Sequence, residues 1–540
     1  MTTVGISAPA AGRAASRPHI ILLMADQLAA PALPFYGHPL VQTPALATLA
    51  AQGVVFDNAY CNFPICAPSR YSMLTGRLPH SIDAFDNASE LASSLPTMAH
   101  YLAAAGYRTI LAGKMHFVGA DQLHGFSERL TTDIYPAEFL WVPDWSKGPG
   151  FKPTGVGMGH VVDAGPCVRN MQIDYDEEVE HVAVQKIFDL ARDSSADPVF
   201  LTVSFTHPHP PFVAPQEHWD RYDHAEIDLP SVPEIPYEKL DPHSQWLYLA
   251  HGQDRHSVTP EHVRRARHAY YAMASYVDEK IGRVMDALHK SGLADNAVIV
   301  FCADHGEMLG ERGMWFKQTF YEWSARVPLV IRWPGQVSPG RRIAPCSLVD
   351  LLPTFLDVAA GPGGVRVDPV DPLDGSSLIP SLCQGVDKQC RDVVSEYSSE
   401  GVQAPSRMLR RGDLKYVYTL GLPPMLFDLR SDPKELTNLA GVPEWAKVQA
   451  DLHARLLAHW NPEQTDALIR ASQRRRLFLR QLALRDGTFP AWSFEARQGD
   501  RSRFVRPASA VGAVGPKPRM RFPFVQPTPP DLEPRKDVDS

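Results

Sequence analysis

The sequence predicts an α/β protein: a mostly parallel central sheet with helices on both faces, followed by a smaller antiparallel α+β unit. Three observations predict it. Short apolar runs rich in β-branched residues recur through the first two thirds of the chain, each bounded by turn residues. Helical patterns lie between them, and strand–helix alternation implies parallel pairing. After about Cys390 the texture changes to short strands and polar turns.

The first strand is "HIILLMADQ", His19 to Gln27. In the helix that follows, "TPALATLAAQG", Thr43 is the N-cap, Pro44 the first helical residue and Gly53 the stop. "LPTMAHYLAAAGY" is a helix leading into the second strand, "YRTILAGKMHF", Tyr107 to Phe117. The third strand is "PVFLTVSFTHPHPPF", Pro198 to Phe212. The longest helix is capped by Thr259 and stopped at Gly292. It precedes the fourth strand, "NAVIVFCADHGE", Asn296 to Glu307, and a fifth, "VPLVIRWPG", Val327 to Gly335. Within "MLRRGDLKYVYTLGLPPMLFDLRSDPKELTNLAG" two short strands are joined by a Gly-Pro turn, and a helix runs from about Pro443 to Trp460. The expected divisions are a disordered tail over 1–17, a catalytic domain over 18–389, a small α+β subdomain over 390–470, and a C-terminal helix with an extended arm over 471–540. From about Phe504 the chain is rich in Pro and Arg without periodicity. The run "RRRLFLRQLALRDG" can form an amphipathic helix, and the segment from Arg474 onward is expected to serve assembly.

The strands end in chemistry. Asp26 and Gln27 close the first, Lys114 and His116 the second, His207 and His209 the third, Asp304 and His305 the fourth. Chains often turn polar where they emerge into water. In an open parallel sheet, however, ligands bind beyond the carboxyl ends of the strands, so four such endings would meet at one edge. Lys114 and His116, two apart, face the same way in an extended segment. Asp26, Asp304 and His305 offer hard oxygen ligands and one imidazole, a set suited to Ca²⁺, Mn²⁺ or Mg²⁺.

Composition narrows the classes. The 540 residues are 44% hydrophobic and 21% charged, with net charge −8 and pI near 6.2, which points away from nucleic acid or a membrane surface as partner. Seven scattered cysteines do not form a disulfide framework and suit a reducing, cytoplasmic compartment. The N-terminus lacks the apolar core of a secretion signal, and no window approaches a membrane span.

In "CAPSRYSMLTGR", Pro68 suits the first position of a helix and Gly76 its stop. Cys66 then lies at a helix N-terminus, where backbone N–H groups favour an anion, with Arg70 in reach of the same end. Read on its own, Cys66 is a thiolate nucleophile; the alternative is a buried free cysteine.

The motif Cys66-Ala67-Pro68-Ser69-Arg70 with Leu74-Thr75-Gly76 resembles the sulfatases of the alkaline-phosphatase superfamily. "GKMHF", "THPHPPF", "CADHGEMLGERGMWFK" and "LFDLRSDPKELTNLA" follow in that family's order, and "GKMHFVGADQLHGFSERLTTDIYP" looks most like its choline sulfatase branch. The resemblance implies that a formylglycine-generating enzyme oxidises Cys66 to formylglycine, whose hydrate attacks sulfur. One divalent cation is implied on Asp26, Asp304 and His305, with Gln27 standing where the family often has a second acid. Arg70, Lys114 and Lys317 are implied to stabilise the sulfuryl oxygens. His207 would protonate the leaving alcohol, and His116 would take the proton of the second hydroxyl. The implied substrate is a small sulfate ester, choline-O-sulfate-like or aryl. Asn87, Trp141, Trp145 and Glu396 are candidates to touch it, with Trp315 and Glu400 beside them. A homo-oligomer, dimer or tetramer, is implied as well. The rival on the same scaffold is a phosphonate monoester or phosphodiester hydrolase; those relatives tend to carry hydroxyl side chains where this chain has Lys114 and His116. A non-catalytic anion-binding protein is the reading from another class.

Overall fold

The computed structural model describes residues 17–498 except 154–155, 194–196 and 386–390. The expected N-terminal tail, apart from Arg17, and the Pro/Arg-rich arm lie outside the described residues.

Eight strands form one sheet: β1 (His19–Ala25), β2 (Val54–Phe56), β3 (Arg108–Gly113), β4 (Glu128–Arg129), β5 (Val199–Ser204), β6 (Ala297–Ala303), β7 (Leu329–Arg332) and β8 (Gly340–Arg342), in the order β8-β2-β7-β6-β1-β5-β3-β4. The four strands read as carrying chemistry are neighbours, and all pair in parallel. β7 runs antiparallel to β6. β5 and β6 are buried along their whole length, which is why they read as continuous apolar runs rather than alternating ones.

Register decides what meets at the edge. Ala25 pairs with Ala303, Met24 with Ser204, and Gly113 with Ser204. Asp26 and Asp304, each the next residue, therefore leave the sheet at the same level, and Lys114 leaves it one residue earlier, level with Ala25. Gly113 (φ 98°) is required here, because a Cβ would sit 2.0 Å from the Ser204 carbonyl oxygen.

Helices cover both faces. α1 (Pro44–Gln52) has Pro44 first, as expected, but Thr43 makes no side-chain cap. The carboxylate of Asp278 takes that role from a distant helix, accepting from Ala45 N at 3.0 Å and Leu46 N at 2.8 Å. α2 (Cys66–Thr75) carries the cysteine motif, α3 (Met98–Ala104) precedes β3, and α4 (Met171–Arg192) precedes β5. α5 (Pro260–Lys290) has the expected Thr259 cap, here a full capping box with His262.

The C-terminal unit has four antiparallel strands where the sequence suggested two: β9 (Asp392–Tyr397), β10 (Ser406–Arg411), β11 (Leu414–Thr419) and β12 (Met425–Asp428). The Gly-Pro turn joins the last two, and Gly412-Asp413 makes the tighter hairpin before them. The expected helix is Ala446–Leu457, α6. α7 (Pro462–Asp486) is one helix that crosses the expected division at residue 470. One face, with Ile469, Gln473 and Arg476, is buried on its own chain, while Phe478, Leu479, Leu482 and Leu484 are exposed. The described part of the expected arm is thus anchored to the subunit it belongs to. No described helix is long and apolar enough to cross a membrane.

Candidate active site

α2 starts at Cys66 itself, so Pro68 is the third helical residue rather than the first. Its missing N–H is harmless there, since the first turn lacks intrahelical acceptors. Every residue of α2 is buried, and Gly76 (φ 66°) ends it in the left-handed conformation. No side chain at the preceding residue caps the helix; Asn87 does so from another loop, its Oδ1 accepting from Ala67 N at 3.0 Å. Ser69 Oγ donates to the Asp304 carbonyl at 2.6 Å. Arg70 Nε lies 2.8 Å from Asp304 Oδ2, and another of its nitrogens donates to Lys114 O at 2.8 Å and Ser204 Oγ at 2.9 Å. The helix is thereby fixed to the ends of three strands.

The sulfur of Cys66 lies 3.3 Å from His305 Nε2, 3.3 Å from Lys317 Nζ and 3.6 Å from Asp26 Oδ1. Lys114 Nζ is paired with Asp26. Burial alone would push the Cys66 thiol up; Lys114, Lys317 and His305 outweigh it and hold the group well below its ordinary value. Burial likewise opposes ionisation of Asp304, but Arg70 and His305 hold it down to about 2. Asp26, Asp304, His305 and Cys66 each present one donor atom, all within 4.8 Å of one another and all buried. Two carboxylates and an imidazole converging on one point fit a hard divalent cation, which would relieve the repulsion between the acids.

Gln27 stands differently from the expectation of a ligand. Its amide nitrogen donates to Glu307, and its Oε1 accepts from Lys317 Nζ at 2.6 Å. Glu307 is itself pinned by Leu309 N at 2.9 Å and Phe316 N at 2.6 Å. Gln27 thus steers Lys317 toward the sulfur.

Lys114 and His116 do not share a straight strand, because His116 turns to φ 63°. Asp133 holds that turn, accepting from Met115 N at 3.0 Å and His116 N at 2.7 Å. The ring of Tyr135 then serves both groups: His116 stacks on it at 4.5 Å between centroids, and Lys114 Nζ lies 4.2 Å from its centre. Gln27, Phe316 and Gln318 share positive φ with His116, a concentration of backbone strain around the sulfur. His207 Nδ1 lies 2.6 Å from Asp176 Oδ2. His209 faces the same sulfur; burial, then Lys317, lowers it to about 3.

Among the described residues, buried polar atoms without a hydrogen-bond partner include one terminal nitrogen of Arg70, both ring nitrogens of His116 and Nε2 of His207. Native proteins rarely leave such atoms unmet; Arg70 and His116 interact with Cys66, and His207 joins the site through its carbonyl, which accepts from Asp26 N at 3.3 Å.

Of the candidates for touching substrate, Trp141 stands edge-on to His116 at 5.8 Å. The indole N–H of Trp145 donates to Ser399 O at 3.0 Å, and its ring lies under Arg470. Glu396 is corrected: Arg407 and His80 take up its carboxylate in a buried ion pair. Trp315 packs in the main core against Phe212. Glu400 is a buried acid beside Gln318, the residue after Lys317. Asp133, Tyr135, Asp176 and Glu307 escaped the sequence reading, since single acids and a tyrosine carry no spacing signal.

The chain matches the family model described as Sulfatase over residues 18–362, and the one described as N-sulphoglucosamine sulphohydrolase, C-terminal, over 310–461. It is 45% identical over 499 residues to a choline-sulfatase of Rhizobium meliloti, covering 91% of this chain and 96% of that protein. It is 29% identical over 460 residues to arylsulfatase K of Gallus gallus, covering 80% and 81% of the two. Among solved structures, the phosphonate monoester hydrolase of Agrobacterium radiobacter superposes with a TM-score of 0.67 at 26% identity, over 85% of this chain and 96% of that one.

Proposed function

The chain belongs to the sulfatase family of sulfuric ester hydrolases, and we propose that it cleaves sulfate monoesters with residue 66, oxidised from cysteine to formylglycine, beside one divalent cation. The observation that carries this reading is the ring of groups around one sulfur: two carboxylates, an imidazole and Lys317 all reach Cys66.

Asp26, Asp304 and His305 would hold the cation, which supplies Lewis acidity and lowers the pKa of a bound hydroxyl. The aldehyde of formylglycine would supply, as its hydrate, one hydroxyl to attack sulfur and a second to release sulfate. Arg70 presents its unpartnered nitrogen to a sulfuryl oxygen, while Lys114 and Lys317 place two ammonium groups beside the developing charge. His207 Nε2 gives a proton to the leaving alcohol. His116, held by Asp133 and stacked on Tyr135, takes one from the second hydroxyl.

A cationic alcohol such as choline is the favoured leaving group. The 45% identity to a choline-sulfatase supports it, as do Trp141 and Tyr135 beside His116 and the buried acid Glu400. The likeness to phosphonate monoester hydrolases supports a weaker side activity on phosphonate esters. Exposed Phe478, Leu479, Leu482 and Leu484 on α7 support a homo-oligomer. Turnover of choline-O-sulfate, para-nitrophenyl sulfate and a phosphonate monoester by the modified enzyme tests the assignment. Preference for the phosphonate would reverse it.

A further inference from the structure

We propose that Asp176 is the positioning residue for the leaving-group proton: it fixes His207 so that Nε2 alone delivers that proton to the alcohol. The inference rests on the sulfatase reading above and adds to it a residue on α4, away from the strand ends.

Asp176 is fully buried. Its Oδ1 accepts from Thr206 N at 2.8 Å and Thr206 Oγ1 at 3.0 Å. Its Oδ2 accepts from His207 N at 2.9 Å and lies 2.6 Å from His207 Nδ1. One carboxylate therefore sets both the backbone and the ring of the same residue. The ring of Tyr276 stands against His207 at 4.6 Å between centroids and 62°, closing its other side. The carbonyl of His207 accepts from Asp26 N at 3.3 Å, which ties this unit to the acid proposed to hold the cation. A carboxylate accepts and does not donate, so Nδ1 carries the proton in that contact and Nε2 is left to exchange one. Nε2 is buried and has no partner among the described residues. An orienting carboxylate behind an imidazole is a general device for fixing tautomer and aim.

The step balances simply. As the ester S–O bond breaks, its electron pair stays on the alcohol oxygen. The Nε2 proton moves to that oxygen, and a neutral imidazole remains, its Nδ1 still carrying the proton it donates to Asp176. An alkoxide needs this proton; para-nitrophenolate, a stable anion, does not. A carboxylate that merely braces the 206–207 turn would matter equally for both kinds of substrate.

The test compares Asp176→Asn, Asp176→Glu and His207→Gln holoenzymes on an alkyl sulfate and on para-nitrophenyl sulfate. For Asp176→Asn, kcat/KM on the alkyl sulfate should fall by about 10²–10³-fold, the scale of one general acid, and on the nitrophenyl ester by less than about 5-fold. Because both substrates are read in one sample, any misfolded fraction cancels in their ratio. Equal losses on both esters would overturn the proposal. His207→Gln should show the same split. If it does while Asp176→Asn does not, only the proposal falls; if it does not, the acid assignment falls and the proposal with it. NMR of nitrogen-labelled histidine in the wild-type holoenzyme decides even where the variants do not fold. A proton on His207 Nδ1, whether or not Nε2 is also protonated, is expected, and neutral His207 protonated on Nε2 alone would contradict it.

Discussion

Arg476 closes on Asp86 through two parallel contacts of 2.5 and 2.7 Å, both groups nearly or wholly out of solvent. The arginine belongs to α7 and the acid to the loop whose next residue, Asn87, caps the nucleophile helix. A helix distant in sequence thereby braces the start of α2. Removing one partner of a buried pair leaves the other uncompensated and costs about 3–5 kcal/mol. Arg476→Ala should lower the urea midpoint accordingly and reduce turnover. An unchanged midpoint would mean that α7 does not dock as described.

Lys317 is expected to act in the transition state rather than in binding. Lys317→Met should reduce kcat by about 10²–10³-fold, the size of one buried donor aimed at developing charge, with the fold retained. Gln27→Ala should lose less, because it aims Lys317 without touching sulfur. Stopped-flow or steady-state rates on para-nitrophenyl sulfate read both, and wild-type turnover in Lys317→Met would remove that residue from the site.

The cation site is tested by composition as well as by rate. Asp304→Asn keeps the shape but removes a charge from the donor set. Bound metal measured by elemental analysis should fall from one equivalent toward background, and activity with it, while circular dichroism is preserved. Full metal occupancy in that variant would refute Asp304 as a ligand.

Glu400 gives a pH dependence whose sign can be worked out. Burial raises its carboxyl from 4.5 to about 6, against the opposing hydrogen bond from Ser399. With the folded value above the unfolded one, its contribution to stability is full below 4.5 and is lost as pH rises through about 6. Glu400→Gln should therefore gain on wild type by about 1–2 kcal/mol between about pH 5 and about pH 8. In the same window the ionised acid should raise kcat/KM for a cationic sulfate ester relative to a neutral one. Parallel stability curves for the two proteins would contradict the shift.

Much of this was legible before the structure. The four strands that end in Asp26, Lys114, His207 and Asp304 are adjacent and parallel, because continuous apolar runs admit few other arrangements. The nucleophile helix and its stop at Gly76 were readable, although it starts at Cys66, two residues before the Pro68 expected to open it. What the sequence hid are single residues acting across long separations. Asp278 replaces Thr43 as a cap, Asp133 bends the chain at His116, and Gln27 serves Lys317 because Glu307 holds its amide the other way round. Glu396 was misplaced for the same reason, since nothing in its neighbourhood of sequence announces Arg407 and His80 as its partners.

The central claim is that Cys66 is the precursor of the nucleophile. Mass spectrometry of the tryptic peptide ending at Arg70, taken from enzyme of known specific activity, tests it most directly. The mass loss of a thiol converted to an aldehyde should appear in proportion to activity across preparations, and Cys66→Ala should be inactive. Fully active enzyme whose Cys66 peptide carries an intact thiol would contradict the account.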